Sequence, residues 1–460
     1  MNYFTPPYPE RHKTNPSAFK AILQARQDLL SIWTEDAFKF EFMSQQILKQ
    51  KIFIVNDPKL VKEVLVTKHH IYEKKSPQMI RALEPLLGDG LFISDGGTWA
   101  SHRHIQTPLF HTGFVQNYSK IMVSTITEIA DDWANQKSTT VDVLPEMGRL
   151  TAEIISRTLF GENLGKEKAA KVVKAFADYQ SSIKQTPLSS FTDLPNWTDK
   201  LSIKSHIAMR AAKRIHAVVD EIIDKAGEKE NQDTLVAHLL AANDGRDTEN
   251  SLDREQIRNE IIVLFMAGHE TTANSLAWCW YLLSQSPDVE AKLHAELDEV
   301  LEGRLPSFSD VAKLPYTRAI FDESIRLYPP VPILSRQASE DDTIRRQQVP
   351  KGSLMLVVPW LLHRHENLWD QPNTFIPERF LAGAENKPNK FAYLPFSAGP
   401  RVCLGKSFGI VESVLSIAIL AQRFRLKLPE GAKVSHECRL TLRPKGSLPM
   451  TLEKRIKDDA

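Results

Sequence analysis

Apolar and polar positions change their period twice along the chain. From Ser17 to about Trp33 the apolar residues recur at helical spacing. FKFEF (38–42) and KIFIV (51–55) then have the texture of two short strands, and Asp57-Pro58 opens a helix. From about 99 to 300 almost every segment has a helical period, broken by polar clusters at 185–197 and 243–250. The longest of these helices starts near Ser251 or Asp253, where D-x-x-Q offers a capping box, and ends before Pro287. At 1.5 Å per residue it spans on the order of 50 Å. Ile257, Ile261, Leu264, Gly268, Thr271 and Ser275 follow at steps of four and three, so they form one stripe along it. After Pro329 come short β-like pieces (ILSRQA, MLVVPW), proline-rich loops and a last helix from about Ser407 to Gln422. The pattern predicts a mainly α fold. Its helical bulk covers about 99–328 and 407–422, and a minor β region covers about 35–60, 330–360 and 425–455.

The 460 residues would make about three domains at roughly 150 residues each. No repeat, low-complexity tract or linker divides them, so a single large domain over 1–460 is expected. Hydrophobic residues at 42% and charged residues at 25% fit a folded globular chain. A formal charge of +1 leaves no global field to gather nucleic acid. The N-terminal stretch lacks the basic and apolar regions of a signal peptide. Ile261 to Leu283 is apolar at both ends, but Gly268 to Thr272 (GHETT) interrupts its middle, which reads as a buried helix, not a membrane span. Three widely spaced cysteines (Cys279, Cys403, Cys438) form neither a disulfide framework nor a zinc pattern. These features lead us to expect a soluble, monomeric, cytoplasmic protein without a membrane anchor.

Cys403 lies in FSAGPRVCLG, between two glycines and directly before an apolar helix. Gly399 and Gly405 would let a flat group lie against the loop. The helix N-terminus favours thiolate, the form that ligates metal. Arg401 could pair with a carboxylate or phosphate of the same group. Taken alone, Cys403 reads better as one more buried free cysteine in a Gly-flanked turn. Glu323 and Arg326 stand three apart on a helix and can pair, although such a pair on a surface contributes under ~1 kcal/mol. On the long helix, Gly268 offers a bare patch, with the Thr271 hydroxyl and the Glu270 acid next to it. A packing glycine beside polar residues bonded back to the backbone is the alternative.

The string F-x-x-G-x-R-x-C-x-G resembles the haem-binding loop of the cytochrome P450 family. Other motifs follow the family's order from about Ile52 to Arg425: ESIR resembles its E-x-x-R helix, FIPERF supplies Arg379, AGHETT resembles its oxygen-activation segment, and Trp99 with Arg103 resembles W-x-x-x-R. The resemblance implies haem b with Cys403 as axial ligand. Phe396 and Gly405 would lie in the haem loop, and Trp99, Arg103, Arg336 and Arg401 would meet the propionates. Glu323, Arg326 and Arg379 would form a structural triad, and Thr271 with Glu270 would act as a catalytic acid–alcohol pair. His102 and Lys74 are weaker candidates near the propionates. Phe92, Leu264, Ala267, Val331 and Ile333 would touch a small lipophilic substrate. The implied activity is a monooxygenase that inserts one atom of dioxygen into a C–H bond. Because no flavin or iron–sulfur pattern occurs, electrons from NAD(P)H would arrive through a ferredoxin or flavodoxin with its reductase, and Lys406 would be a plausible contact. A peroxide-using peroxygenase or isomerase and a haem sensor without turnover are the alternatives.

Overall fold

The computed structural model describes residues 3–8, 11–14, 24, 28–47, 49–161, 166–182, 203–225, 234–244, 251–385, 389–438 and 440–455. The helix expected from Ser17 to about Trp33 falls largely outside these residues, and residues 29–32 form turns. The loop at 185–197 and most of that at 243–250 also lie outside them.

Eleven helices longer than two turns are described: α1 (Pro77–Leu87), α2 (Gly96–Gln106), α3 (Thr112–Asn135), α4 (Val143–Phe160), α5 (Lys166–Ser182), α6 (Ile203–Lys225), α7 (Leu235–Asp244), α8 (Arg254–Ser284), α9 (Pro287–Leu301), α10 (Pro315–Leu327) and α11 (Lys406–Arg423). The long helix expected from the sequence is α8. Asp253 accepts from the Gln256 N–H at 2.8 Å, and the Gln256 side chain accepts from the Asp253 N–H at 3.1 Å, which completes the capping box. Its residues from Ile257 onward are buried on nearly every side, as the interior helix of a large domain must be. It packs on α4, α10 and α11, so it forms the axis of the core.

The β region is small. A four-stranded sheet has the order β1 (Phe42–Ile47), β2 (Gln50–Val55), β7 (Leu354–Val357), β4 (Leu334–Gln337), with only the β2–β7 pair parallel. A second sheet joins β3 (Thr140–Asp142), β11 (Pro449–Lys454) and β8 (Phe424–Lys427), and two antiparallel pairs join β5 (Asp342–Ile344) to β6 (Gln347–Val349) and β9 (His436–Cys438) to β10 (Leu442–Pro444). KIFIV forms a strand as expected. FKFEF does not. Residues Glu35–Phe38 make a 3-10 turn instead, and the buried Asn56 amide donates to the carbonyls of Ala37 and Phe40, both at 3.2 Å. The strand is the polar segment Phe42–Ile47, which pairs with β2 from Phe42↔Val55 to Ile47↔Gln50 at an exposed edge where no apolar pattern is needed. Asp57 caps the helical turn after β2 by accepting from the Lys59 and Leu60 N–H groups at 2.9 and 3.0 Å.

Candidate active site

A cavity with about 270 Å³ open to the centre of a water lies between α8 and the loop that precedes α11. The loop contributes Phe396, Cys403 and Gly405, and α8 contributes Leu264, Ala267, Gly268 and Thr271. Trp99, Arg103, Arg336 and Arg401 line it too, as do Phe92, Val331 and Ile333. Residues spread over more than 300 positions of sequence thus meet in one space. Of the predicted site residues, only Glu270 and the charge triad lie elsewhere.

The Cys403 N–H donates to the Phe396 carbonyl at 2.9 Å and closes the loop, leaving the sulfur open to the cavity. Crowding by protein pushes the thiol pKa up. The Gly405 N–H, Arg103 and Lys406 pull it back toward thiolate. The two glycines serve different ends. Gly399 sits at φ +70°, and a Cβ there would come within 2.0 Å of the Leu65 carbonyl oxygen. Its close approach is therefore to backbone, not to a cofactor as the sequence suggested. At Gly405 a Cβ would meet nothing within 4 Å, although the residue lines the cavity, which leaves this face free for a flat ligand.

The cationic side of the cavity holds four basic groups. Arg103 donates to the Val402 carbonyl at 3.0 Å and Arg336 to the Ser335 carbonyl at 2.9 Å. Arg401 pairs with Glu73 at 2.8 Å and stacks over Trp99, its guanidinium carbon 4.1 Å from the ring centroid. Lys75, which the sequence reading passed over, is the fourth. Its ammonium lies 4.8 Å from the Phe92 ring centroid and makes no ion pair among the described residues. Burial, then Arg336 and Arg401, hold its pKa well below that of an ordinary lysine, and burial lowers Arg336 to about 10. A flat group bearing two carboxylates would relieve this repulsion, so the residues present fit haem. The weaker candidates do not join them. Lys74 is exposed, and His102 Nδ1 lies 2.6 Å from the buried Glu260, which also accepts from the Leu91 N–H and Gln106.

Along α8 the expected stripe divides. Leu264, Gly268, Thr271 and Ser275 line the cavity, whereas Ile257 and Ile261 pack in the core beyond it. A Cβ at Gly268 would strike Ile155 of α4 at 2.9 Å, so this glycine also permits helix contact. Thr271 Oγ1 donates to the Ala267 carbonyl at 2.7 Å, leaving its oxygen lone pairs free to accept. Glu270 does not stand beside it. Consecutive helical residues point about 100° apart, and Glu270 lines a separate outer cleft with Glu153, Arg157 and Asn274. A second buried acid, Glu412 of α11, lies beside Thr272. Among the described residues neither of its oxygens meets a partner at good hydrogen-bond geometry. Burial holds its pKa well above the carboxylate range, and the neighbouring Thr272 hydroxyl offsets this only in part. A lone acid in the apolar run SFGIVESVL was the available signal for it.

Behind the loop, Glu323 and Arg326 pair through two bonds of 2.6 and 2.7 Å, both side chains fully buried. Arg379 Nε adds a third at 3.3 Å, and the Ile376 N–H a fourth at 2.8 Å. Arg326 also donates to the carbonyls of His363, Pro372 and Thr374, tying α10 to the segment ahead of the cysteine loop.

A family model described as Cytochrome P450 matches residues 6–449. Cyclooctatin synthase of Streptomyces melanosporofaciens is 31% identical, over 96% of this chain and 94% of that one. Cyclooctat-9-en-7-ol 5-monooxygenase of the same organism is 29% identical, over 96% and 91%. The crystal structure of the cytochrome P450DA heme domain superposes with a TM-score of 0.79 at 26% identity, covering 90% of each chain. No described helix is long and apolar enough to cross a membrane.

Proposed function

Because this chain belongs to the cytochrome P450 family and is an oxygen-incorporating oxidoreductase, we propose that it inserts one oxygen atom into a C–H bond of a small lipophilic molecule. The observation that carries this reading is one cavity in which a free thiol, four basic side chains, the Thr271 hydroxyl and an apolar wall converge. Haem b bound through Cys403 supplies the redox centre at which dioxygen and two electrons are consumed. Arg103, Arg336, Arg401 and Lys75 hold its propionates, and the Trp99 ring under Arg401 keeps that guanidinium in place.

Thr271 positions a proton donor. Its own hydrogen is given to Ala267, so its oxygen accepts from a water in the cavity and aims that water's second proton inward. Glu270 takes up protons from the outer cleft on the far side of α8. Phe92, Leu264, Ala267, Val331 and Ile333 exclude bulk water and select apolar substrates. The relative whose name describes an unsaturated alcohol oxygenated at one carbon suggests substrates of that size and character. Electrons come from NAD(P)H through a ferredoxin or flavodoxin with its reductase, in the cytoplasm, and the exposed Lys406 beside the cysteine loop suits an acidic partner.

The test uses haem-loaded protein, a surrogate ferredoxin system and ¹⁸O-labelled dioxygen, with substrates chosen by their shift of the haem spectrum. One labelled oxygen per product is expected. Consistent failure to incorporate label from any shifting ligand would overturn the reading. Cys403→Ser should lose the thiolate-type carbonyl spectrum.

A further inference from the structure

Away from the active site, a small void lies where the N-terminal segment crosses the turn after β7. It is lined by Tyr8, Arg11, Trp33, Phe38, Trp360 and Arg364. The space open to the centre of a water is about 10 Å³, enough to seat a small ion. Among the described residues, four N–H groups of its lining are buried without a hydrogen-bond partner: Arg11 Nε, Trp33 Nε1, and Arg364 Nε and Nη1. All four are donors.

The charges around the void are equally one-sided. Arg364 is 2% exposed and makes no ion pair among the described residues. Its guanidinium is held only by aromatic faces, with its carbon 3.7 Å from the Trp360 ring centroid and 5.7 Å from that of Tyr328. Burial lowers its pKa to about 9, so it remains a cation at neutral pH. The nearby carboxylates among the described residues are already engaged. Glu366 pairs with Arg11 Nη1 at 3.0 Å and with Lys39 at 3.5 Å, and Glu323 is held by Arg326 and Arg379. A buried cation without a counter-charge is among the costliest arrangements a fold can keep. A water could accept two of the orphan N–H bonds, but it would bring two hydrogens and no charge.

We propose that this void is a binding site for a small monatomic anion, chloride in the cell. The anion would accept from Trp33 Nε1 and the two guanidiniums and would act as the counter-ion of Arg364. The anion would clasp the N-terminal segment to Trp360 and, through the Trp360–Tyr328 contact, to the end of α10. The site is independent of the reaction, so it can fail or stand without touching the functional reading.

The test uses haem-loaded full-length protein. Crystals grown in sodium bromide should show an anomalous peak in the void, and replacing gluconate by chloride at constant ionic strength should raise the melting midpoint. At tenfold excess over the dissociation constant the rise is about 1.5 °C, given the unfolding entropy of a chain this long. Trp33→Phe keeps the ring and removes one donor, and it should abolish most of the chloride effect while the protein still folds and binds haem. Equal midpoints in chloride and gluconate would overturn the proposal. So would a bromide-grown crystal whose void holds only a water, or a bromide peak that appears at crystal concentration with no midpoint shift in solution.

Discussion

Replacing Glu323 by glutamine removes one charge and almost no volume, yet it should be among the most damaging single changes in this protein. Glu323 accepts four hydrogen bonds, three of them from the guanidiniums of Arg326 and Arg379. With Glu323 and Arg326 fully buried, loss of the carboxylate leaves Arg326 a cation in low dielectric, a change that costs about 3–5 kcal/mol. Against a total stability of ~5–15 kcal/mol, that is a large share. The pair lies away from solvent, so the cost should be nearly the same at low and high salt, unlike that of a surface pair. Glu323→Met with Arg326→Met removes both charges and should cost less than the sum of the single changes. It should not restore stability, because the carbonyls of His363, Pro372 and Thr374 lose their donors at about 1–3 kcal/mol for each one left unsatisfied. Urea unfolding of the haem-loaded variants measures these terms. A cost under about 1 kcal/mol for Glu323→Gln, or strict additivity in the double variant, would refute the reasoning.

Thr271→Ala should release more peroxide per NAD(P)H consumed and form less product; coupling equal to the parent would remove Thr271 from proton delivery. Glu270→Gln should slow turnover while leaving the substrate-induced spectral shift unchanged, since Glu270 lines the outer cleft and not the cavity, so a changed shift would argue against that placement. Lys75→Met should speed haem transfer to apomyoglobin several-fold, as expected for loss of about 1 kcal/mol of ion pairing; an unchanged transfer rate would place Lys75 outside the propionate set. Glu412 predicts a pH dependence. Its folded pKa is raised, so above the unfolded value of about 4.3 the folded state keeps a proton that the unfolded state has lost. Stability therefore falls as pH rises toward the folded pKa, by up to ~1.4 kcal/mol per pH unit. Glu412→Gln should remove that slope between pH 5 and 8 in urea unfolding, and an identical slope in the variant would refute it.

Features set by local pattern were legible in the sequence, and those set by direction or by chain closure were not. Asp253 and Gln256 announce the start of α8, and Asp57-Pro58 announces its turn, because capping is settled within four residues. The cysteine loop, the triad and all five apolar cavity residues were found through the resemblance, which carries long-range arrangement that spacing alone does not. FKFEF misled because its aromatic residues are buried by a turn held from Asn56, while the real edge strand carries a polar face. Lys75 escaped because the groups that give it meaning, Arg336 and Arg401, lie more than 260 residues away. Glu270 is the most instructive case. Thr271 stands on a stripe with Gly268 and Leu264, and a helix that turns about 100° per residue cannot put residue 270 on the same line. The two residues are neighbours in sequence but face different compartments, the cavity and the outer cleft. On the proposed mechanism, a proton collected at Glu270 would have to pass round α8 before Thr271 could use it. Acid and alcohol would then act in series across a helix, so each could be impaired without the other.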